Sequence, residues 1–499
     1  MTFSRNNQID KLKNNDEYDL LIIGGGIVGA AGHTIASNTG LNVLLVDKND
    51  FASGASSRST KLLHGGIRYL PQLQFSLVKE SLNEQKILKK RLGSLYRPLK
   101  LLAPIYKNDG FADLPKIFQK NFVAPFAFKL GLLFYDFLGG RKKSEKHKNI
   151  SKKNTFELFP KLKKVNLRKS FIFQDAQTDD SKLVLSLLRT AVEINNSTAI
   201  NYLNVKNIFK KNKFYEIHLF CELTGAEYSV SAKKIIAASG VHNLPGDYKE
   251  VSTKLKMSGG AHLVLKGDPL EINNNGVFLP KTEDERVMFV LPWNGNTIVG
   301  TTDVEKFSGT KDNPHASKEE IDYLIRHVKK YFDIENIEYT SSWSGIRALI
   351  DDQNNSTKKI MRGHVIEEID KNFIQIAGGK LTGFRLIAIE ALRQLFNKRF
   401  ELQDIEYQDQ IINYQNYYNL PDLEHSIKHY CVATPVDYLL RRTNLSWFSE
   451  DNGRAVISEI ERHTSFKDIE FDSFEYLKKK IISNLIIFCC HNKTDTDTT

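Results

Sequence analysis

The chain has 499 residues, of which 41% are hydrophobic and 26% are charged, and its formal net charge is +11. This length and composition exclude a single small core and predict a soluble enzyme of two or three domains. The positive charge indicates an anionic partner, such as a phosphorylated substrate, an acidic membrane surface or nucleic acid. Because no helix-turn-helix, zinc or RNA-binding signature is present, we expect no nucleic-acid partner.

The four cysteines are too few for a disulfide framework, and no C-x-x-C pair occurs. This pattern predicts a reduced, cytoplasmic protein without a metal site. The first 18 residues are polar, so no signal peptide is expected. No run of 18 apolar residues occurs, so no membrane-spanning helix is expected.

A glycine-rich motif follows the first apolar run. Residues 19–23 predict a buried strand, and Gly24, Gly26 and Gly29 then fit G-x-G-x-x-G before a helical segment. The first glycine permits a tight turn, the second permits close approach of a pyrophosphate, and the third permits helix–strand packing. Asp47 ends the next apolar run at the spacing of a ribose-binding acid. The motif predicts an adenine dinucleotide site, and the alternative is a glycine-rich turn without a ligand.

Further elements follow in chain order. Residues 76–92 and 182–193 predict helices, and residues 234–240 predict a buried strand that ends at the small residue Gly240. Residues 286–303 predict a hairpin, because Asn-Gly separates two apolar runs. After Phe400 the chain predicts a helical domain.

Residues 115–140 are rich in aromatic and aliphatic side chains and are followed by five cations within residues 141–148. Such a segment is typical of interfacial membrane binding. The alternative is a buried helix pair followed by a solvated basic loop.

Three other segments carry residues suited to a flavin or phosphate site. His64 precedes two glycines, which suit a backbone packed against a flat ring. Arg347 and Arg362 supply the guanidinium groups that bind phosphate or carboxylate in a bidentate manner. Residues 373–382 predict a strand, a Gly-Gly turn and a helix start whose N–H groups favour negative charge, with Lys380 at its edge. A surface arginine and an ordinary turn are the alternatives.

These segments together resemble the FAD-dependent glycerol-3-phosphate dehydrogenases, within the D-amino-acid-oxidase-like flavoproteins. The resemblance covers about residues 18–450. Its most specific motif is S-S-x-S-x-K-L-x-H-G-G-x-R-Y-L, which begins at Ser56, and Gly300–Asp303 and Ser344–Arg347 add to it.

The resemblance implies an α/β fold with a Rossmann-like FAD-binding domain, an antiparallel-sheet substrate domain and a C-terminal helical domain. The FAD-binding domain is expected over residues 18–95, about 170–255 and 340–398. The substrate domain is expected over residues 96–169 and 256–339, the helical domain over 400–490 and a disordered tail over 491–499.

The resemblance also implies oxidation of sn-glycerol 3-phosphate to dihydroxyacetone phosphate, with hydride transfer from C2 to flavin N5. Electrons then pass to a membrane quinone, or to oxygen as in the related oxidases. The enzyme is expected in the cytoplasm, at the inner face of the cell membrane, on an anionic surface. The sequence leaves open whether it forms a homodimer.

The site residues are carried over by motif. His262 matches a histidine that serves as the base, and Arg347 matches the substrate-site arginine. Substrate binding is expected of Arg347, Arg362, Lys380 and Thr382. FAD binding is expected of Gly24, Gly26, Gly29, Asp47, Ser56, Ser57, Thr60, Lys61, His64, Gly65, Gly240, Gly378, Gly379 and Leu381.

The chain departs from the family pattern at Val28, Asp47, Arg58, residues 258–261 and residues 383–384, and His33 stands in the first helix. These departures keep two alternatives open. One is another flavin oxidase of the superfamily, acting on an amine or a 2-hydroxy acid. The other is a catalytically degenerate flavoprotein that binds at a membrane.

Overall fold

The structure is a computed structural model. It describes residues 2–107 except 71 and 73, residues 109, 123–244, 255–350, 363–405 and 423–449, and residues 451, 453, 456 and 460.

The strands are β1 (Glu17–Ile23), β2 (Val43–Val46), β3 (Leu62–Leu63), β4 (Arg97–Tyr106), β5 (Lys148–Ile150), β6 (Leu167–Gln177), β7 (Thr198–Ile200), β8 (Leu203–Lys210), β9 (Tyr215–Cys221), β10 (Glu227–Ala237), β11 (Leu255–Leu265), β12 (Gly276–Leu279), β13 (Met288–Trp293), β14 (Asn296–Gly300), β15 (Ser308–Gly309), β16 (Pro314–His315), β17 (Tyr339–Ile350), β18 (His364–Asp370) and β19 (Phe373–Gly378). The α-helices are α1 (Arg5–Asn14), α2 (Ile27–Ser37), α3 (Phe75–Arg91), α4 (Val123–Gly139), α5 (Lys152–Leu158), α6 (Asp180–Glu193), α7 (Lys318–Tyr331), α8 (Phe384–Leu395), α9 (Leu423–His429), α10 (Pro435–Asp437) and α11 (Leu445–Phe448).

The first sheet contains eight strands among the described residues, and its main path runs β18-β19-β10-β1-β2-β7. The strands from β19 to β7 are parallel, whereas β18 pairs antiparallel with β19. Strands β8, β9 and β10 form an antiparallel meander. Apolar residues of α2, α6 and α8 pack in one core with residues of β1, β2 and β19. This arrangement is that of a Rossmann-like domain.

The second sheet contains nine strands among the described residues, and its main path runs β17-β11-β14-β13-β12-β4-β6-β3. All of its described pairs are antiparallel except β4 with β12. Residues of α7 pack in one core with this sheet, and residues of α4 and the C-terminal helices pack in another. Because α4 and α7 belong to different cores, they cover different parts of the sheet.

Several local predictions agree with the structure. The predicted helices at 76–92 and 182–193 correspond to α3 and α6, and the strand predicted at 234–240 is the end of β10. The predicted hairpin is formed by β13 and β14, and its turn residues Asn294 and Gly295 have φ values of 46° and 80°. Asn and Gly tolerate these left-handed conformations, which is why the pair is so strong a hairpin signal.

One predicted boundary differs from the structure. Residues 340–350 were expected in the FAD-binding domain, but β17 pairs with β11 along its length in the second sheet. The polar and small residues of β17 did not indicate that this strand pairs with the distant strand β11. Within residues 400–490 the described α-helices are α9, α10 and α11, whereas residues 406–422, 461–490 and the tail 491–499 lie outside the described residues.

The C-terminal helices are joined to the first domain by buried ion pairs. Asp50, just after β2, contacts both Arg441 and Arg442, and Arg442 also donates to the carbonyl oxygen of Cys431 at 3.0 Å. Each of these charged side chains is buried, so loss of Asp50 would leave Arg442 buried without its ion-pair partner.

His33 is fully buried in α2, and its Nε2 lies 3.0 Å from the carbonyl oxygen of Thr198 on β7. Burial lowers the pKa of His33 to about 3. A histidine in the unfolded chain still binds a proton near pH 6.5, so acid favours the unfolded state.

We therefore expect His33 to lower the free energy of unfolding by about 1.4 kcal/mol for each pH unit below 6.5. The variant His33→Gln keeps an N–H donor without the titration. Urea unfolding between pH 7.5 and 4.5 should therefore show a shallower acid loss for His33→Gln. Parallel losses in the two proteins would contradict this role.

Candidate functional site

A cavity of about 840 Å³ is lined by residues of both sheets. Many predicted site residues line it: Gly24, Gly26, Asp47, Ser56, Thr60, His64, Gly240, His262, Arg347, Gly378, Gly379, Lys380 and Leu381. Residues that are separated by more than 300 positions in the sequence therefore meet around one space.

Other predicted site residues are placed elsewhere. Gly29, Ser57, Lys61, Gly65 and Thr382 are near the cavity in sequence but do not line it. Arg362 lies outside the described residues.

The glycine motif shapes one end of the cavity. A Cβ on Gly24 would lie 2.5 Å from the carbonyl oxygen of Ala238, which directly follows β10, and a Cβ on Gly29 would lie 2.0 Å from the carbonyl oxygen of Gly24. Gly26 precedes α2 and has no side chain to cap it, while Ser56 Oγ accepts a hydrogen bond from Ile27 N at 2.9 Å. The start of α2 therefore presents backbone N–H groups where an anion is favoured.

Asp47 accepts hydrogen bonds within the protein, in addition to the contact with ribose that the sequence predicts. Its carboxylate accepts hydrogen bonds from Gly25 N at 2.7 Å and from Asn49 N at 2.8 Å. Burial raises its pKa to about 6, although both backbone donors oppose this shift. Asp47 thus fixes the glycine turn and also faces the cavity.

The other end of the cavity is formed around His262 on β11. Its Nε2 lies 2.9 Å from Thr60 Oγ1, and its ring stacks on Trp343 with centroids 5.2 Å apart. Burial, Arg347 and Lys61 hold the pKa of His262 well below its usual value. The imidazole is therefore neutral at pH 7.

Arg347 on β17 is held beside this histidine. Its Nη2 donates to Thr301 Oγ1 at 2.8 Å, and its Nη1 lies 3.8 Å from a carboxylate oxygen of Asp303. A Cβ on Gly260 would lie 2.2 Å from Nη2 of this arginine. Gly260, within the run 258–261 that departs from the family pattern, therefore makes room for the guanidinium of Arg347.

Lys380 and Thr382 are oriented by neighbouring elements. Lys380 Nζ donates to Ser81 Oγ at 3.1 Å and lies 5.0 Å from the centroid of the Tyr69 ring. Thr382 is buried and donates to the carbonyl oxygen of His64 at 3.2 Å. Lys380 adds positive charge to the cavity wall, and Thr382 anchors the loop that carries His64.

Lys61 and Gly65 serve the packing behind the cavity. Lys61 is buried and forms an ion pair with Asp180 at 2.6 Å. A Cβ on Gly65 would lie 2.2 Å from the hydroxyl of Tyr135, which donates to Asp175 at 2.8 Å. These two residues support the loop that carries His64 from behind.

Thr301 and Asp303, which orient Arg347, were not predicted as site residues. Both lie in the motif of residues 300–303, which supported the family resemblance in the sequence. The sequence did not show that these residues contact Arg347. Asp303 also pairs with Arg286 at 2.9 Å, a contact that joins two further strand ends.

Comparisons with known proteins agree with this geometry. The model of the FAD dependent oxidoreductase family matches residues 19–391. The chain is 36% identical over 408 residues to the aerobic glycerol-3-phosphate dehydrogenase of Staphylococcus aureus (strain MRSA252), an alignment that covers 80% of this chain and 70% of the relative. The chain belongs to the family of FAD-dependent aerobic glycerol-3-phosphate dehydrogenases. The predicted family is thereby confirmed.

Solved structures share the fold of this family. The glycerol-3-phosphate dehydrogenase from Bacillus halodurans complexed with FAD gives a TM-score of 0.72 at 22% identity and covers 97% of this chain and 98% of that one. The L-alpha-glycerophosphate oxidase from Mycoplasma pneumoniae with FAD bound gives a TM-score of 0.57 at 21% identity over 78% and 97% of the chains. The predicted fold class and the FAD cofactor are confirmed.

The residues present fit FAD. The glycine turn and the start of α2 suit its pyrophosphate, and Asp47 stands where ribose hydroxyls are bound. The positive φ values of Gly378 and Gly379, 77° and 101°, open the opposite wall for close backbone contact.

Proposed function

We propose that this FAD-dependent oxidoreductase converts sn-glycerol 3-phosphate to dihydroxyacetone phosphate. The observation that carries the proposal is the placement of Arg347 beside neutral His262 in the FAD cavity. Bound in this cavity, FAD would supply the acceptor, its N5 atom, for the hydride that leaves C2. The relatives named as glycerol-3-phosphate dehydrogenases support the same substrate.

His262 and Arg347 have different roles in the proposed reaction. His262 takes the proton of the C2 hydroxyl at the ring nitrogen that carries no proton in the neutral imidazole. Arg347 binds the phosphate in a bidentate manner, with its fork fixed by Thr301. Thr60 orients His262 through the contact at Nε2.

The alternative of an amine or 2-hydroxy-acid oxidase requires a carboxylate site. One arginine suffices for a carboxylate, whereas the cavity wall here also carries Lys380. Two cations in one cavity wall favour a phosphate dianion over a carboxylate. A catalytically degenerate flavoprotein is disfavoured because Gly260 gives the guanidinium the space it needs.

A dye-linked dehydrogenase assay tests the substrate. We expect turnover with sn-glycerol 3-phosphate and at least about a hundredfold lower kcat/KM with glycerol, which lacks the charge that Arg347 binds. Glycine and L-lactate serve as amine and 2-hydroxy-acid controls. Faster turnover of either control would contradict the proposed substrate.

We further propose that electrons pass to a membrane quinone, at the inner face of the cell membrane. The exposed face of α4 supports this location, and we define it as Phe126, Leu130, Leu133, Phe134 and Phe137. The opposite face of α4 is buried in a core that it shares with the second sheet. This one-sided exposure favours interfacial binding over the alternative of a buried helix pair, of which residues 115–122 lie outside the described residues.

Charge and position also favour a membrane at the α4 face. Lys129, Lys142 and Lys143 are exposed beside it, which suits an anionic lipid surface. Tyr135 on the buried side of α4 bonds Asp175, a residue of the cavity wall. A lipid-soluble acceptor at this face would therefore approach the FAD cavity closely. No helix among the described residues is long and apolar enough to cross a membrane.

We expect Phe137→Glu to weaken binding to anionic vesicles by about tenfold or more, because burial of a phenylalanine contributes about 1.5–3 kcal/mol. Phe137 is 78% exposed. The matched control is Val165→Glu, since Val165 is 75% exposed and lies near α7. Vesicle co-sedimentation measures both. Equal binding by the two variants would exclude the α4 face.

A further inference from the structure

Arg58 occupies a distinctive place in the cavity wall. It follows the one-turn 3-10 helix Ala55–Ser57 and lines the cavity. Its main chain is held by β17, because a Cβ on Gly345 would lie 2.9 Å from the Arg58 carbonyl oxygen. Two residues earlier, Ser56 contacts the start of α2.

The Arg58 side chain brings a positive charge to the cavity wall. No hydrogen bond or ion pair to its guanidinium occurs within the part of the chain that the structure describes. Burial and, to a smaller extent, the charge of Arg441 lower the pKa of Arg58 to about 10, while Asp312 partly opposes both. Arg58 is only partly buried by the protein itself, and a ligand that fills the cavity would enclose it. Because an enclosed cation without a counter-ion is costly, this position favours an anionic ligand group.

The neighbouring charges are already engaged with other partners. Asp312 accepts a hydrogen bond from Asn49 Nδ2 at 2.9 Å and lies 3.1 Å from Lys48 Nζ. Arg441 pairs with Asp50 and, at 3.0 Å, with Asp437. Neither residue is therefore a strong partner for Arg58.

The position of these charges indicates which anion Arg58 meets. Asp312 forms an ion pair with Lys48 and a hydrogen bond with Asn49. These two residues directly follow Asp47 at the dinucleotide end of the cavity. The charges that act on His262, at the reacting end, are instead Arg347 and Lys61. Arg58 thus belongs electrostatically with the dinucleotide end.

We propose that Arg58 provides the counter-charge for the pyrophosphate of FAD, in addition to the backbone N–H groups at the start of α2. The glycine motif then supplies shape and dipoles, and Arg58 supplies the full positive charge. In this role Arg58 sets cofactor affinity and leaves the binding of the phosphorylated substrate to Arg347.

The test follows FAD release from the full-length holoenzyme on dilution, by the recovery of flavin fluorescence. We expect Arg58→Met to raise the dissociation constant of FAD about tenfold to a hundredfold, the loss of one charge-assisted hydrogen bond. Arg58→Lys, which keeps the charge, should restore most of the affinity. If Arg58→Met fails to fold, Arg58→Gln tests the same loss of charge with a polar side chain.

Competition by nucleotides locates the contact. ADP contains the pyrophosphate without the flavin, so Arg58→Met should weaken the binding of ADP by the same factor as the binding of FAD. Adenosine contains no phosphate and should keep its affinity. An unchanged dissociation constant for FAD, or a loss for adenosine equal to that for ADP, would overturn the proposal.

A substrate measurement separates the two phosphate sources. At saturating FAD, the KM for glycerol 3-phosphate should be unchanged in Arg58→Met. A tenfold rise in KM with normal FAD affinity would overturn the proposal and assign Arg58 to the substrate phosphate. FAD release needs no turnover, so it remains informative even if glycerol 3-phosphate is not the substrate.

Discussion

Replacing Arg347 with alanine is expected to lower kcat/KM for glycerol 3-phosphate by at least about a hundredfold. Two charge-assisted hydrogen bonds to a phosphate contribute about 1.5–3 kcal/mol each, and both are lost. KM should rise and kcat should fall, because the substrate is then held less well beside His262. Bound FAD, measured by the visible to ultraviolet absorbance ratio, should remain at the wild-type level.

Two control variants sharpen the Arg347 experiment. Arg347→Lys keeps the charge but not the planar fork fixed by Thr301, so an intermediate kcat/KM is expected. Arg399→Ala removes an exposed arginine far from the cavity and should match wild type. An unchanged kcat/KM in Arg347→Ala would remove this residue from the substrate site.

Replacing Gly29 with alanine is expected to abolish FAD binding. The new Cβ would lie 2.0 Å from the carbonyl oxygen of Gly24, and both groups belong to main chain that cannot move independently. Helix α2 would have to shift away from the turn that receives the pyrophosphate. The purified variant should therefore lack visible flavin absorbance and should unfold at a lower temperature.

Gly32→Ala is the matched control, because Gly32 lies one turn further along the same helix. Its Cβ would lie 3.5 Å from Ile22 Cδ1, which is an ordinary contact distance. Alanine also favours the helix by roughly 0.5–1 kcal/mol over glycine. We expect this variant to retain FAD. Retention of FAD by Gly29→Ala, or its loss from both variants, would contradict the packing role of Gly29.

Local chemistry in the sequence was sufficient for the dinucleotide end. Gly24, Gly26 and Asp47 are close in sequence, and their required spacing follows from one strand–turn–helix unit. The hairpin of β13 and β14 was predictable for the same reason, since its turn residues determine its geometry. Such features depend on contacts within a few tens of residues.

Long-range partners determine what the sequence could not show. Lys61 lies in the most specific motif, yet its side chain pairs with Asp180, 119 positions away. Thr382 contacts the His64 carbonyl across 318 positions instead of lining the cavity. A motif identifies which residues matter, but only the packed structure shows whether a side chain faces the ligand or supports it from behind.

The glycines of residues 258–261 illustrate the same limit. In the sequence they were a departure that left turnover in question. In the structure, Gly260 gives space to Arg347, and a Cβ on Gly259 would lie 2.7 Å from Phe307 Cβ. Their small size is therefore a requirement of the neighbouring strands and loop.

The central claim is that bound FAD in this chain is reduced by glycerol 3-phosphate. An anaerobic visible spectrum of the purified holoenzyme, recorded before and after addition of glycerol 3-phosphate, tests it most directly. We predict that the bands of oxidised flavin bleach on addition of the substrate. Oxidised flavin bands that persist with glycerol 3-phosphate, while dithionite still bleaches them, would contradict the claim.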